Sequence, residues 1–220
     1  MPRLALLLVG LSVLVLFAFR TVLQWWRTGS GGFRGFSGRV GSLEWNAGLL
    51  LTLGLAATAL APLAALLGWP GGALLFASEP LHLGGAGLTA AGTAGALASQ
   101  MAMGESWRIG VDASERTELV MRGAFRWVRN PIFSFMLLSA AGLLALVPNA
   151  FSVLGLAAAF AGIEIQVRSV EEPYLAKTHG PLYRAYAARV GRFLPGLGRL
   201  DGAAGAARRG GSPPAARGST

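Results

Sequence analysis

Five long apolar runs restrict what this chain can fold into. Arg20 is the only Lys or Arg within them, and they cover residues 4–23, 49–67, 81–103, 132–147 and 151–167. Crossing the hydrocarbon core of a bilayer takes about 20 residues, with ~17 as a lower limit. The fourth run reaches that length only with its flanking residues. The sequence therefore predicts an all-α, polytopic membrane protein with about five transmembrane helices.

The composition supports a membrane protein and excludes several kinds of reactive or metal-binding site. Hydrophobic residues make up 53% of the chain and charged residues 13%, against about 25% charged in an ordinary globular domain. There is no cysteine, which excludes disulfides, thiolate nucleophiles and cysteine metal sites. His82 and His179 are the only histidines, so we predict no metal site.

The net charge of +9 is explained by topology rather than by nucleic acid. Lys and Arg follow the first, third and fifth runs, whereas residues 68–82 and 147–150 contain neither. By the positive-inside rule, the N-terminus lies outside, and the basic loops and the C-terminal segment are cytoplasmic. We expect contact with membrane lipid and no nucleic acid partner.

The chain divides into three parts along its length. Residues 1–99 hold most of the first three spans, and residues 100–200 hold the last two spans and C-terminal helices. Residues 201–220 lack apolar periodicity, which predicts a disordered tail. The link Val147-Pro148-Asn149-Ala150 is too short for anything but a tight hairpin. The fourth and fifth spans should therefore pack together.

The residues after the fifth span predict interfacial helices on the cytoplasmic side. Tyr183, Tyr186 and Val190 fall on one helical face, with Arg184 and Arg189 off it. The sequence His179-Gly180-Pro181 is typical of a helix stop followed by a new start.

Positive charge collects where the fourth span begins. Arg122, Arg126 and Arg129 precede Asn130-Pro131. Asn130 is expected to cap the helix, with Pro131 in its first position. A helix N-terminus beside arginines favours an anion site. Anchoring to anionic headgroups is an equally good interpretation of the charge alone.

The fifth span carries charges of both signs towards its end. Glu164, Arg168 and Glu172 stand at helical spacing, with Glu171 beside them. Ionisable residues within a span usually face a cavity or a partner. We expect Glu164 and Arg168 to pair with each other. The hairpin should bring Arg129 and Asn130 to face Glu171 and Glu172 in a mixed-charge pocket.

An ordered set of short motifs resembles the integral-membrane methyltransferases that include isoprenylcysteine carboxyl methyltransferase, in particular their bacterial branch, which is related to phospholipid methyltransferases. The resemblance covers about residues 100–195. The motifs are Met103 to Val111, Arg129-Asn130-Pro131-Ile132-Phe133, Glu171-Glu172 with Leu175, His179 to Tyr183 with Tyr186, and Arg192-Phe193-Leu194-Pro195. The chain departs from the family pattern at Asn130 (usually His), Phe133 (usually Tyr) and Phe135 (usually Gly).

The resemblance implies a bacterial inner-membrane enzyme that binds S-adenosylmethionine at the cytoplasmic face. A lipophilic methyl acceptor would enter from the bilayer, and no oligomeric state is implied. A carboxylate acceptor needs no general base because it is already ionised. Arg108 or Arg168 would be the catalytic residue that positions this carboxylate. The implied cofactor-binding residues are Arg129, Asn130, Pro131, Glu171, Glu172, Tyr183 and Tyr186.

Two alternatives remain open. One keeps the cofactor and replaces the acceptor by a phospholipid amine or another small amphiphile. The other is a non-catalytic scaffold or transporter, in which the charged residues anchor helix ends at the membrane surface and form ion pairs along a helix. Convergence of Arg129, Glu171 and Glu172 on one cavity would favour an enzyme. We expect Glu172→Gln and Arg129→Ala each to abolish cofactor binding without unfolding the protein.

Overall fold

The computed structural model describes residues 1–32, 35, 38–107 and 118–200. These residues form helices and their connections, with no named strand among them. The helices are α1 (Pro2–Val13), a π-helix (Leu14–Phe19), α2 (Arg20–Thr28), α3 (Leu43–Leu67), α4 (Glu79–Met103), α5 (Pro131–Leu146), α6 (Ala150–Gln166), a second π-helix (Val167–Glu171) and α7 (Glu172–Arg189). The predicted all-α class is confirmed, and each apolar run falls almost entirely within helix.

Three helical stretches are long and apolar enough to cross a membrane. They are Pro2–Thr28, Leu43–Leu67 and Ala150–Arg189. Helix α4 has 25 residues, but its many Gly, Ala and Thr residues lower its mean hydropathy. Helix α5 is apolar and has only 16 residues. A polytopic helical protein is confirmed, and the count of five spans stays a prediction.

Two tight helix pairs, α3 with α6 and α4 with α5, make up most of the bundle. Lipid gives apolar helices no hydrophobic reason to associate, so close backbone approach has to hold them together. A Cβ atom added at any of six glycines would lie under 3.0 Å from a backbone atom of the partner helix. These glycines are Gly54, Gly155 and Gly162 in the first pair, and Gly85, Gly92 and Gly142 in the second.

A threonine supports the contact in each pair. The Thr58 hydroxyl donates to the Gly54 carbonyl at 3.0 Å, and the Thr89 hydroxyl donates to the Gly85 carbonyl at 2.9 Å. Each hydroxyl lies against a glycine of the partner helix, Gly155 for Thr58 and Gly142 for Thr89. The Thr89 hydroxyl is also 3.4 Å from the Ser139 carbonyl of the partner helix. The two pairs thus use the same packing solution.

The hairpin between α5 and α6 is as tight as expected. Asn149 and Ser152 form a reciprocal capping box at the start of α6. The side-chain Nδ2 of Asn149 also donates to the Ala61 carbonyl at 2.9 Å, and this hydrogen bond holds the turn against α3. Helices α5 and α6 contact each other, but each packs mainly on its other neighbour, α4 or α3. Their pairing is therefore looser than the short link suggested.

The start of α5 agrees with the sequence in one respect and differs in another. Pro131 occupies the first helical position, as predicted. Asn130 stands at the capping position, but its side chain does not cap the helix. Its Nδ2 instead donates to the Arg192 carbonyl at 3.2 Å. This carbonyl is within reach because the C-terminal segment, residues 190–200 after α7, lies against the start of α5. The expected side-chain cap is wrong.

Helix α7 bends where the sequence predicted a stop. Gly180 has φ 53° and ψ −124°, a conformation outside the helical region, and Pro181 follows it. Beyond the bend, Tyr183 and Tyr186 are buried and Arg184 is exposed. The predicted tyrosine face is confirmed, and its place at a membrane interface stays a prediction.

The proposed division of the chain meets one structural difficulty. Helix α4 runs without interruption from Glu79 to Met103, so a boundary between residues 99 and 100 falls inside a single helix. Residues 201–220 lie outside the described part of the chain. The three-part division stays a prediction.

Candidate functional site

A buried ion network joins three distant parts of the chain. Arg129 Nη2 lies 2.5 Å from Glu172 Oε1, and Arg192 donates to both Glu172 oxygens at 2.8 Å. All three residues are less than a tenth exposed. A carboxylate held by two guanidiniums in this way satisfies its acceptors without water. Glu172 therefore joins the start of α5, the start of α7 and the C-terminal segment.

Backbone carbonyls take up most of the remaining donors of Arg129. Its Nη atoms donate to the carbonyls of Ala187 (3.1 Å), Val190 (2.5 Å) and Gly198 (3.0 Å). Its Nε is buried without a partner among the described residues. Four of the five N–H donors of this guanidinium are thus committed to the protein itself.

The C-terminal segment lies alongside the residues that precede α5. The Arg129 amide donates to the Gly191 carbonyl at 2.8 Å, and the Asn130 amide donates to the Arg192 carbonyl at 3.1 Å. The hydrogen bonds from Arg192 to Glu172 raise the pKa of the Arg192 guanidinium above its ordinary value. Arg192 consequently stays charged and holds this segment in place.

A cavity of about 130 Å³ opens beside the ion network, and although most of its lining is apolar, we call it the polar cavity because of the carboxyl groups in its wall. It is lined by the carboxyl-bearing residues Glu118, Glu171 and Glu172 and by tyrosines of α7. The rings of Tyr183 and Tyr186 lie 6.3 Å apart, and the Tyr186 hydroxyl donates to the Phe125 carbonyl at 2.6 Å. This hydrogen bond fixes the orientation of the Tyr186 ring in the cavity wall.

A larger, mostly apolar cavity of about 290 Å³ lies next to the polar cavity. Helix α3 contributes Leu51 and Leu55, and α5 contributes Ile132, Phe133 and Met136. The two cavities share part of their walls. The shared residues are Met103, Phe125, Arg129, Asn130, Glu171 and Leu175. A charged molecule and a lipophilic one can therefore be held side by side.

The structure brings together the residues predicted to bind a cofactor. Arg129, Asn130, Glu171, Glu172, Tyr183 and Tyr186 line the polar cavity, and Pro131 lines the adjoining apolar cavity. Their convergence is the arrangement that the motif spacing predicted. Their role in binding a cofactor stays a prediction.

The structure gives less support to the two residues predicted to position the acceptor than to the residues predicted to bind the cofactor. Arg168 is exposed and pairs with Glu164 one helical turn away, as expected for these two charges. Arg168 is not among the lining residues of either cavity. Arg108 lies outside the described residues. The geometry gives no support to Arg168, and both assignments stay predictions.

Sequence reasoning gave Arg20 no role, although it ties the N-terminal helices to the site. Arg20 is fully buried, and its Nη2 donates to the Gly104 carbonyl at the end of α4 at 2.6 Å. Its guanidinium lies 4.5 Å from the ring centre of Trp107, which lines the apolar cavity. Gln24 accepts from Arg20 and donates to the Glu105 carbonyl. A charge inside an otherwise apolar run was the available signal.

Comparison with known proteins supports a methyltransferase. The family model of phospholipid methyltransferases matches residues 81–181, from the start of α4 to the bend in α7. No curated protein and no solved structure matches the chain. The matched segment contains the ion network residues Arg129 and Glu172 and most of the polar cavity. Over this segment the chain is similar to a membrane methyltransferase family related to the phospholipid methyltransferases.

Proposed function

We propose that this protein transfers a methyl group from S-adenosylmethionine to a lipophilic acceptor at the membrane. The observation that carries the proposal is the shared wall between a polar and an apolar cavity, with Asn130 and Glu171 in both. A methyltransferase of this kind must hold a charged donor and a greasy acceptor in contact. The family match over residues 81–181 supports the same reaction class.

The lining of the polar cavity fits the cofactor. S-adenosylmethionine carries an ammonium, a sulfonium, a carboxylate and ribose hydroxyls. Glu118 and Glu171 suit the cationic groups or the hydroxyls, and the faces of Tyr183 and Tyr186 suit a cation or the adenine ring. When bound, the cofactor supplies an electrophilic methyl group.

The carboxylate of the cofactor has fewer partners than the sequence suggested. Arg129 has only its Nε uncommitted. The side chain of Asn130 does not cap the first turn of α5, whose residues Ile132 and Phe133 line the apolar cavity. The unpaired amides of such a turn carry partial positive charge and suit an anion. We therefore assign the carboxylate to the start of α5, with Arg129 Nε beside it.

The protein contributes to the reaction by orientation and by exclusion of water. Phe125, Met103 and Leu175 supply the apolar part of the shared wall, beside the polar side chains of Arg129, Asn130 and Glu171. Holding two reactants in line replaces a bimolecular encounter by a unimolecular step. Removal of water strengthens the electrostatic contacts made there.

Two acceptors are candidates, each supported by a different observation. The motifs at Arg129-Asn130-Pro131 and Glu171-Glu172 favour the carboxylate of an isoprenylcysteine-like substrate. The match to phospholipid methyltransferases favours a phospholipid amine. The amine candidate is also favoured because Arg129, a cation in the apolar cavity wall, is already paired with Glu172.

Calorimetric binding of S-adenosylmethionine to the detergent-purified protein tests the proposal. We expect saturable binding that Glu171→Gln weakens about ten- to hundredfold, because a hydrogen bond to a charged group contributes ~1.5–3 kcal/mol. Glu164→Gln is the matched control, since Glu164 pairs with exposed Arg168 and does not line either cavity. A folded wild-type protein that binds no S-adenosylmethionine would overturn the proposed function.

A further inference from the structure

A second apolar cavity adjoins the one described above. It has a volume of about 90 Å³ and lies between α1, the first π-helix, α3 and α5. We call it the deep cavity. Phe17, Leu55 and Met136 line both it and the apolar cavity. These three side chains therefore stand at the junction of the two cavities.

The two cavities follow one another along α3 and α5. On α5 the apolar cavity is lined from Pro131 to Met136, and the deep cavity from Met136 to Leu143. On α3 the change from one cavity to the other falls at Leu55. At about 1.5 Å per residue, the two stretches of α5 are about 8 Å and about 10 Å long. Together they extend about 18 Å from the wall shared with the polar cavity.

The deep cavity is suited to hydrocarbon although three hydroxyls stand in its wall. The Ser12 and Thr58 hydroxyls each donate to the carbonyl four residues earlier, at 2.8 Å and 3.0 Å. Ser139 Oγ lies 3.3 Å from Thr93 Oγ1. Each hydroxyl thus has a partner within the protein, and the described lining residues carry no charge. An apolar cavity of this kind excludes water and accepts an apolar ligand.

The deep cavity is accessible near its junction and closed at its far end. Val13 and Phe17, on the N-terminal helix, are 49% and 37% exposed, and in a bilayer such side chains face lipid. Val9 and Leu143 are each only 8% exposed and belong to one packed core cluster. A hydrocarbon chain can therefore enter from the side of Phe17 and extend as far as Val9 and Leu143.

Most of this wall comes from outside the segment that the family model matches. Helices α1 and α3 precede residues 81–181, whereas α5 lies within them. The family match therefore implies nothing about the size of the deep cavity. A selectivity that depends on this size is a property of the N-terminal part of this chain.

We propose, on the basis of the function proposed above, that the deep cavity holds the end of the hydrocarbon chain of the methyl acceptor, and that Val9 and Leu143 limit the length of this chain. The head group then lies at the wall shared with the polar cavity. A chain that ends near Met136 leaves the deep cavity empty, whereas a longer chain fills it and makes packing contacts with its wall. The selection is by length and applies equally to a carboxylate and to an amine.

Binding of a homologous series measures the length limit. The probes carry octyl, dodecyl, hexadecyl or eicosyl chains, each as the amine and as the carboxylate, so that any preference for one head group cancels within a series. Radiolabelled probes are titrated onto the full-length protein in nanodiscs, and empty nanodiscs measure partition into lipid. We expect binding to the wild type to strengthen from octyl to hexadecyl and then to level off with both head groups.

Two substitutions should move the limit in opposite directions. Ala59→Leu places a larger side chain in the deep cavity. It should weaken hexadecyl binding about tenfold and leave octyl binding unchanged, because only the longer chain enters this cavity. Leu143→Ala removes a side chain that closes the far end, so eicosyl binding should strengthen relative to hexadecyl. Thermal unfolding establishes that each variant is folded, and where one is not, the other decides.

Ala56→Leu is the matched control. Ala56 lies in the same helix as Ala59, but it is exposed and lines neither cavity. The same change of side chain at this position should leave the ratio of hexadecyl to octyl binding at the wild-type value.

The outcomes separate the length limit from the proposed function. Wild-type protein that binds no S-adenosylmethionine in calorimetry contradicts the proposed function. Protein that binds S-adenosylmethionine, but in which Ala59→Leu lowers the ratio of hexadecyl to octyl binding no more than Ala56→Leu does, overturns the length limit alone. The deep cavity would then be a site for bilayer lipid. Opposite shifts in Ala59→Leu and Leu143→Ala, with S-adenosylmethionine affinity retained, support the length limit.

Discussion

The Nη2 atom of Arg129 lies 2.5 Å from the Oε1 atom of Glu172, and both residues are buried. This pair closes a separation of 43 residues along the chain, and Arg192 completes it from the C-terminal side. Arg129 and Glu172 also line the polar cavity. The ion network is therefore both a clamp within the fold and part of the candidate binding site.

This double role changes the expected effect of substituting Glu172. Glu172→Gln leaves two buried guanidiniums without a full countercharge. We expect it to lower the free energy of unfolding by about 3–5 kcal/mol. Chemical unfolding of the purified protein in mild detergent measures the change. We expect this loss of stability to accompany the loss of cofactor binding that the sequence predicts for the variant.

The paired control for Glu172→Gln is Glu164→Gln. Glu164 also pairs with an arginine, but Arg168 is 59% exposed and the pair is solvated. Such a pair contributes ~0–1 kcal/mol. Equal loss of stability in the two variants would contradict a clamping role for Glu172.

Close packing of α4 on α5 makes Gly92 intolerant of a side chain. In Gly92→Ala the added Cβ would lie less than 3.0 Å from backbone atoms of Phe135 and Ser139. We expect a loss of about 1–3 kcal/mol in unfolding free energy. Gly87→Ala in the same helix is the control, because nothing lies within 4 Å of its added Cβ. A loss of stability in Gly87→Ala as large as in Gly92→Ala would count against the packing argument.

The bend of α7 depends on the conformation of Gly180. Its φ of 53° and ψ of −124° suit glycine alone, although nothing lies within 4 Å of an added Cβ. Gly180→Ala should cost about 1–3 kcal/mol of backbone strain. It should also weaken S-adenosylmethionine binding, because Tyr183 and Tyr186 follow the bend. Calorimetry and thermal unfolding measure both effects.

Gly10→Ala controls for a glycine-to-alanine change in a helix. Gly10 lies in α1 with nothing within 4 Å of its added Cβ and without a positive φ. Cofactor affinity that stays at the wild-type value in Gly180→Ala would show that the bend does not position the tyrosines.

Arg20 acts as a tether between α2 and the end of α4, so its substitution should lower the stability of the fold beyond its own helix. Arg20→Met retains most of the apolar stem and removes the bonds to Gly104 and Gln24. We expect a loss of about 2 kcal/mol, because hydrogen bonds to charged groups contribute ~1.5–3 kcal/mol. Arg27→Ala, at an exposed position of α2, should leave the thermal midpoint unchanged. If both variants unfold at the same temperature, Arg20 is not a tether.

The charge asymmetry of the loops predicts the orientation in the membrane. The chain has no cysteine, so single cysteines can be introduced as reporters. Ala77→Cys, in the loop before α4, should react with a membrane-impermeant maleimide added outside intact cells. Arg39→Cys, in the loop before α3, should react only after the membrane is opened. Both positions are exposed. The reverse labelling pattern would reverse the topology.

The positions of the helices could be predicted from the sequence, and their pairing could not. The apolar run at residues 132–147 becomes α5 (Pro131–Leu146) almost residue for residue. Hydropathy fixes such boundaries because water and lipid differ strongly as solvents. The choice of partner depends on where glycines such as Gly85 and Gly142 meet in space, and glycines occur throughout the apolar runs.

The candidate site was predictable where charges stand at fixed spacing. Arg129 and Glu172 face each other because a short hairpin joins their helices. The contribution of Arg192 could not be foreseen, since it depends on the C-terminal segment folding back against Asn130.

The two glycine-packed helix pairs are nested in chain order, with α4 and α5 lying between α3 and α6. The inner pair can dock as soon as α5 has been synthesised, and Thr89 then meets Ser139, 50 residues away. Helix α3 must wait longer, because its partner α6 is made last and contacts such as Asn149 to Ala61 span 88 residues. During biosynthesis α3 can contact α1, but its glycine face stays uncovered until α6 has been made.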